Sequence, residues 1–270
     1  MRSILATSVK NRSRLLTLFV SLPLLLGGVS TIYLPEAIAS DWATVQTRGR
    51  LLVGVKDYAP PLSFRDASGQ WKGFEIDIAK KLAKELLGSE QLVEFVPLTN
   101  RDRLPALWNN RVDLAIAQIS VTHNRTRLVD FTLPYYTDGT ALVVARGIRK
   151  QDFTQTKGIA VIKNSATIAV LQYHFPKMSL IGVNSYQEGL AALKDGKVQA
   201  FAGDSSALVQ WLKENPDYES IDRFLSHHSL AIALPKGLQY IELRERVLKT
   251  MERWRKNGWL RDRATYWGLP

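Results

Sequence analysis

The sequence predicts an α/β protein with two successive sets of alternating strands and helices. Apolar, β-favouring runs such as 51–55 have the length of buried strands. The segment 76–87 places Ile76, Leu82 and Leu86 at helical spacing, with lysines on the opposite face. Because strand, helix and strand alternate, the pattern favours mainly parallel sheets covered by helices.

The first set occupies the chain up to residue 145. Its predicted strands are 51–55, 92–96, 113–119 and 141–145, and its predicted helices are 76–87 and 102–109. The second helix tolerates Pro105 because proline is accepted in a first helical turn. The strand at 141–145 is expected to lead out of this set.

The second set repeats the same order. Its predicted strands are 159–163, 180–183 and 200–203, and its predicted helices are 167–175, 186–193 and 205–213. A further strand at 230–234 precedes a long helix at 242–256. That helix is expected to end at Asn257-Gly258, a favoured pair for stopping a helix.

Residues 1–39 are expected to be a secretory signal peptide. Basic residues come first, an apolar run follows at 15–29, and Ala37-Ile38-Ala39 resembles a cleavage site. The alternative is a membrane anchor, but the run is shorter than the roughly 20 residues that span a bilayer. We therefore expect an exported protein, soluble in the periplasm.

Composition excludes several classes of site. The chain has no cysteine, which excludes disulfides, thiolate metal sites and a lipid-modified cysteine. The formal net charge is +11, yet the basic residues form no long run and do not alternate with aromatic residues. We therefore expect a basic solvated surface and no nucleic-acid partner. The four histidines lack ligand spacing with carboxylates, so no metal and no cofactor are expected.

Several motifs in fixed order carry a family resemblance. They include Gly-Phe-Glu-Ile-Asp-Ile-Ala at 73–79, Ile-Ser-Val-Thr-His-Asn-Arg at 119–125 and Val-Asp-Phe-Thr-Leu-Pro-Tyr-Tyr at 129–136. Further matches run from 157 to 204 and from 257 to 268. Together they resemble the family 3 periplasmic solute-binding proteins, which serve ABC importers of polar amino acids. The segment 99–105 is similar to the glutamate/aspartate-binding subgroup.

The resemblance implies a two-lobed binding-protein fold that the chain crosses twice. On that pattern lobe 1 comprises 40–145 plus 229–270, and lobe 2 comprises 146–228. The implied function is the capture of a free amino acid between the lobes by a monomer, followed by docking on an ABC permease. It also implies no enzyme activity; the alternative is a dehydratase of prephenate or arogenate on the same fold, with His123 as a conceivable acid or base.

The resemblance also implies which residues hold the amino acid. Arg125 would grip the carboxylate through its planar guanidinium, and Asp204 would pair with the ammonium, although it could instead cap the following helix. The remaining expected contacts to these two groups are Ser120 and Gln118 at a strand end, with strand termination as the alternative for Gln118, and Ser165 and Thr167 at a helix start.

The ligand side chain is harder to predict from the sequence. Lys56 and Arg103 would favour an acidic ligand and repel a cationic one. The alternatives are that Arg103 packs within lobe 1 and Lys56 is solvated, and that the ligand is glutamine or another polar neutral amino acid. Tyr58 and Phe74 are the aromatic candidates for stacking on the ligand, with core packing as the alternative for Phe74.

Overall fold

The computed structural model describes residues 41–221 and 224–269, so the predicted signal peptide at 1–39 lies outside the described residues. The first elements are α1 (Trp42–Arg48), β1 (Leu51–Lys56), β2 (Phe64–Arg65), β3 (Trp71–Lys72), α2 (Phe74–Leu87), β4 (Val93–Leu98), α3 (Pro105–Trp108), β5 (Leu114–Ala115), α4 (His123–Thr126) and β6 (Val129–Phe131).

The chain continues through a second group of elements. These are β7 (Tyr136–Ala145), β8 (Ile159–Ile162), α5 (Thr167–His174), β9 (Leu180–Val183), α6 (Tyr186–Lys194), β10 (Ala200–Asp204), α7 (Ser205–Glu214), β11 (Tyr218–Ser220) and β12 (His227–Leu230). It finishes with β13 (Ala233–Pro235), α8 (Ile241–Lys256) and α9 (Trp259–Tyr266). The predicted α/β architecture with two sheets is confirmed.

The first sheet has the strand order β4-β1-β5-β13-β6. Strand β1 is parallel to β4 and β5, whereas β13 is antiparallel to β5 and β6. Helices α2 and α8 cover this sheet, and their side chains Phe74 and Trp254 are fully buried in its core. Because β1 is buried along its whole length, it reads as a continuous apolar run in the sequence.

The second sheet is also mixed. Its order is β11-β7-β10-β8-β9, with β12 paired to β7. Strands β8, β9 and β10 are parallel, and β7 is antiparallel to β10, β11 and β12. Strand β7, together with β12 and the following β13, carries the segments that pass between the sheets.

Strand β7 corrects the predicted lobe boundary. The sequence analysis placed 141–145 in lobe 1, but Ala141 to Val143 pair with β10 of the second sheet. The earlier part, Tyr136 to Gly139, pairs with β12. We therefore propose crossings at 136–139 and 227–230. The reason is that one ten-residue strand carries the connection and the lobe strand without a break, which periodicity alone does not divide.

Helix α2 begins two residues earlier than predicted, and the earlier start places Glu75 within the helix. Gly73 precedes the helix with φ of 127°, and a Cβ there would lie 2.2 Å from the carbonyl oxygen of Leu62. Glycine is thus required by both conformation and space. The early start puts Glu75 in the first turn, where it is fully buried.

Candidate functional site

The candidate site lies where the two sheets face each other. Arg125, on the short helix α4, donates from Nη1 to the carbonyl oxygen of Ser120 at 3.0 Å. Its Nη2 lies 3.5 Å from the carbonyl oxygen of Asn164 in the second lobe. Burial lowers the pKa of Arg125, and the nearby carboxylate of Asp204 opposes this effect. The guanidinium therefore meets the second lobe at Asn164, and its charge interacts with that of Asp204.

Asp204 ends β10 and faces the same cleft. Its Oδ2 accepts a hydrogen bond from the Tyr186 hydroxyl at 2.8 Å, and its Oδ1 lies 3.1 Å from His228 Nε2. Although Asp204 precedes α7, its side chain makes no capping hydrogen bond to that helix. Burial raises its pKa, but the hydrogen bonds outweigh burial and the pKa is lowered overall. Asp204 is thus held as an anion.

His228 and Asp138, next to Asp204, lie on the two crossing strands β12 and β7. The two residues are opposite each other in the β7–β12 pair. Burial lowers the pKa of His228, but the hydrogen bond and charge of Asp204 raise it overall. Asp138 is buried and accepts hydrogen bonds from the Ser205 hydroxyl at 2.7 Å and the Ser206 amide at 3.1 Å.

Asp138, Asp204 and His228 bring ligand atoms within 4.8 Å of one another. The sequence analysis found no such spacing because the three residues meet only through strand pairing. Both oxygens of each carboxylate already accept hydrogen bonds from protein groups. These hydrogen bonds hold the Asp204 side chain in place. The expectation that no metal is bound stays a prediction.

Two cations predicted for the side-chain pocket have different surroundings. Arg103 is 3% exposed and donates from Nη1 to the carbonyl oxygens of Ala117 and Gln118, each at 2.7 Å. It therefore packs within its own lobe, which was the alternative. Lys56 is also buried, and its ammonium lies 5.1 Å from the ring centroid of Tyr186 in the other lobe. Burial, followed by repulsion from Arg103, lowers the pKa of Lys56 to about 8.

Gln118 has an unusual conformation for its residue type. Its φ is 51°, in the left-handed region that favours glycine. Its backbone N–H donates to Oε1 of Glu75 at 2.8 Å. The side chain is 2% exposed, and neither its amide oxygen nor its amide nitrogen has a partner among the described residues. Strand termination alone does not account for such a side chain.

Glu75 is the functional candidate that the sequence reasoning missed. It was read only as part of a motif that opens a helix. Its Oε1 also accepts from the Tyr135 hydroxyl at 2.5 Å, while Oε2 has no partner within the described part of the chain. Burial raises its pKa from the ordinary value of 4.5 to about 7. The signal available in the sequence was a glutamate flanked by the apolar residues Phe74 and Ile76 where a helix begins.

The second lobe contributes the loop before α5. Thr167 begins this helix and is 2% exposed. The hydroxyl oxygen of Ser165 is buried and has no hydrogen-bond partner among residues 41–221 and 224–269. Asn164, whose carbonyl oxygen meets Arg125, has φ of 58°. The loop thus offers a free hydroxyl and a helix start beside the guanidinium.

The two aromatic candidates have different surroundings. Phe74 is fully buried and packs edge-on against Tyr135 and Tyr136, with ring centroids 6.0 and 6.3 Å away. Phe74 is thus a core residue, as the alternative stated, and its predicted stacking on the ligand stays a prediction. Tyr58 is 50% exposed and lines a groove of about 710 Å³ between the lobes, together with Phe64, Trp211 and Trp267.

The titration of Glu75 predicts a pH-dependent stability. The pKa is higher in the folded chain than in the unfolded chain, so the folded state binds more protons between pH 4.5 and about 7. The free energy of unfolding should therefore fall as pH rises through this window, by up to about 3 kcal/mol from this group. Denaturant unfolding of the ligand-free protein at both ends of the window measures the slope.

The Glu75→Gln variant is the control for that slope, because it keeps an acceptor for Gln118 and Tyr135 but does not titrate. It should lose less stability than the unaltered protein as pH rises. Lys56 titrates near a higher pH, about 8, and so does not mimic the effect. An identical slope in both proteins would contradict the assigned pKa.

Comparison with known proteins identifies the family to which the chain is similar. The model for bacterial extracellular solute-binding proteins, family 3, matches residues 51–270. The glutamine-binding protein GlnH of an ABC transporter from Bacillus subtilis (strain 168) is 28% identical over 206 residues, 75% of this chain and 76% of the relative. The glutamine-binding protein from Geobacillus stearothermophilus is 31% identical over 196 residues, 71% of this chain and 75% of the relative.

Solved structures of solute-binding proteins have the same fold as this chain. The crystal structure of a solute receptor for L-cysteine of Neisseria gonorrhoeae has a TM-score of 0.79 and 30% identity, covering 84% of this chain and 93% of that one. Other relatives at similar identity are named for arginine and for L-cystine binding. Within the described residues, no helix is both long and apolar enough to cross a membrane. The chain belongs to the bacterial extracellular solute-binding proteins of family 3, and it is a binding protein rather than an enzyme.

Proposed function

We propose that this protein is the receptor of an ABC importer and binds one free α-amino acid between its lobes. The observation that carries the proposal is the pair Arg125 and Asp204. One comes from each lobe, their charges interact, and both lie in the same cleft. An α-amino acid presents a carboxylate and an ammonium on one carbon, and this pair offers the complementary charges at the two sides of the cleft.

Each further contact has a role in this proposal. The guanidinium of Arg125 binds the carboxylate, supported by the Ser165 hydroxyl and the amide groups at the start of α5. Asp204 binds the ammonium, together with the backbone of Ser120. Tyr186 and His228 hold the Asp204 carboxylate in place. The ligand thus replaces a long contact between Arg125 and Asn164 with direct bonds to both lobes.

The same contacts explain why the two lobes would close around the ligand. A ligand shifts the protein toward a closed state only by the affinity difference between the two states. A change from mostly open to mostly closed needs about 5.5 kcal/mol of such difference. Two charge-assisted contacts made from opposite lobes supply energy of that order only when the lobes are together. The closed form would then dock on the permease, as a monomer, outside the cytoplasmic membrane.

For the ligand itself, the relatives named for glutamine support a polar neutral amino acid over the glutamate or aspartate predicted first. The prediction of an acidic ligand depended on two cations, one of which is Arg103. A donor nitrogen of Arg103 is hydrogen-bonded to two backbone carbonyl oxygens. That nitrogen is therefore not available to hydrogen-bond an acidic ligand side chain.

A ligand screen tests the function. We expect at least one polar amino acid to raise the melting temperature of residues 40–270 and to bind with one-to-one stoichiometry in calorimetry. Binding to the native state alone stabilises by about 2.7 kcal/mol at a ligand concentration 100 times the Kd. If none of the twenty amino acids shifts the melting temperature, the proposal is wrong.

A further inference from the structure

The carboxamide of Gln118 is an unpaired polar group in a place where the protein has no evident structural need for it. Both of its polar side-chain atoms lack partners among the described residues, although the side chain is 2% exposed. Its backbone also occupies a conformation that glycine would adopt more easily. A buried polar group without a partner is costly in a folded protein, so a partner from outside the chain is the natural explanation.

The groups around Gln118 belong to the ligand cleft. Its N–H donates to Glu75 and its carbonyl oxygen accepts from Arg103, which places it between these two side chains. Glu75 and Arg103 interact electrostatically with each other, and both interact with Lys56 or Asp204 in the cleft. The third atom of this cluster without a partner in the described part of the chain is Oε2 of Glu75, a fully buried carboxylate oxygen.

We propose that Gln118 and Glu75 form the subsite for the ligand side chain, and that this subsite selects a primary carboxamide, as in glutamine or asparagine, over a carboxylate. The inference rests on the proposed function, because it assumes that Arg125 and Asp204 hold the α-carboxylate and α-ammonium. It assigns a specificity role to two residues that do not contact the charged end of the ligand.

The chemistry of the unpaired atoms selects the carboxamide. Gln118 presents one acceptor oxygen and an NH₂ donor, and Glu75 presents a second acceptor when it is ionised. A ligand carboxamide has the complementary set, because its NH₂ donates to Glu75 Oε2 or Gln118 Oε1 and its oxygen accepts from Gln118 Nε2. A ligand carboxylate has only acceptors, so it leaves Gln118 Oε1 unpaired and is repelled by Glu75. A site built to hydrogen-bond a particular ligand group strongly rejects an analogue that lacks that group.

The same pocket disfavours cationic ligands. Lys56 and Arg103 both interact electrostatically with Glu75, so its negative charge is already balanced by two cations. A third cation would be repelled by both. The subsite therefore accepts a neutral polar side chain with the least electrostatic cost.

The selection should weaken at low pH. Glu75 faces the Tyr135 hydroxyl from the loop before β7, Lys56 from β1 and Arg103 from the segment before α3. Burial raises its pKa to about 7, so it is largely protonated in mildly acidic solution. A protonated Glu75 donates instead of accepting, which removes the repulsion and offers a hydrogen bond to a ligand carboxylate.

The test compares binding of glutamine and glutamate by calorimetry at about pH 8 and about pH 5.5. At the higher pH we expect glutamine to bind at least about tenfold more tightly than glutamate, and at the lower pH we expect this ratio to shrink. Tighter binding of glutamate at the higher pH would overturn the inference. Binding of neither, nor of any other amino acid, would instead overturn the proposed function.

Variants then assign the selection to the residues. Gln118→Leu keeps the approximate size of the side chain and, like glutamine, leucine is not branched at Cβ, so the left-handed backbone conformation is no more strained. It should weaken glutamine binding about tenfold or more and reduce the preference over glutamate. The matched control is Gln91→Leu on the exposed surface, which should leave both affinities unchanged. An unchanged glutamine-to-glutamate ratio in Gln118→Leu would overturn the assignment.

Glu75→Gln provides a second measurement in case Gln118→Leu does not fold. It keeps the acceptor for the Gln118 N–H but cannot ionise. We expect its glutamine-to-glutamate affinity ratio to be independent of pH and close to that of the unaltered protein at the lower pH. A ratio that keeps the original pH dependence would show that another group titrates and would contradict the role of Glu75.

Discussion

Replacing Arg125 by alanine is expected to abolish detectable amino-acid binding while the protein stays folded. The guanidinium is partly buried in the cleft and is the group through which the first lobe meets Asn164 of the second. Its loss would leave the ligand carboxylate without a bidentate cationic partner in a site shielded from water. Truncating one partner of a buried charge pair costs roughly 2–5 kcal/mol, which corresponds to a Kd about 30-fold to several thousand-fold weaker.

Two companion variants make this result specific. Arg125→Lys keeps the charge but loses the planar fork, so we expect an intermediate affinity. Arg127→Ala is the matched control, because Arg127 ends the same short helix and is exposed to solvent. Calorimetry with the ligand found in the screen measures all three. An Arg125→Ala protein that binds within about threefold of the unaltered protein would refute the assigned role.

Replacing Asp138 by alanine is expected to cause the largest loss of stability among the cleft residues. Asp138 ties the crossing strand β7 to the start of α7 through Ser205, Ser206 and the Gly139 amide. The substitution leaves these buried donors without their acceptor. Each unsatisfied buried group costs about 1–3 kcal/mol, so we expect a loss of about 3 kcal/mol or more.

This loss is reduced by one opposing effect. Burial and the neighbouring charge of Asp204 raise the pKa of Asp138, so the folded protein already bears a cost for holding the carboxylate. Removing it recovers part of that cost. In a protein of this size, about 3 kcal/mol lowers the melting temperature by roughly 6–12 °C.

Scanning calorimetry or urea unfolding of the ligand-free protein measures the effect of Asp138→Ala. Asp195→Ala is the comparison, since this exposed aspartate pairs with Lys197 at the surface. Exposed ion pairs contribute about 0–1 kcal/mol, so its melting temperature should barely change. Equal stabilities of the two variants would mean that the Asp138 cluster does not hold the crossing strand to α7.

The residues proposed to meet the α-carboxylate and α-ammonium were anticipated through the family resemblance of the motifs in which they stand. Arg125 and Asp204 each follow a strand end and stand in motifs of fixed order, and the carboxyl ends of strands gather at one edge of a sheet. The structure brings both to the same cleft. Their pairing with a ligand remains a proposal, which the variants above test.

The residues that support the site could not be anticipated in the same way. His228 reaches Asp204, and Asp138 lies beside it, only because β7 and β12 pair in one particular register. Glu75 is far from Gln118 in sequence, and their hydrogen bond depends on helix α2 starting directly at Phe74. The hydrogen bonds of Arg103 to the carbonyl oxygens of Ala117 and Gln118 likewise depend on the fold, and its predicted role toward the ligand side chain stays a prediction.

The sequence by itself determined the alternation of strands and helices, the α/β class and the strand ends at which polar residues collect, because these follow from local periodicity and from turn-forming residues. Only the tertiary structure decided to which lobe β7 belongs, which polar groups pair with one another and which, like the Gln118 carboxamide, have no partner among residues 41–221 and 224–269. The physical reason is that burial and hydrogen-bond partners depend on contacts between residues distant in the chain, and no local pattern encodes the distances between them.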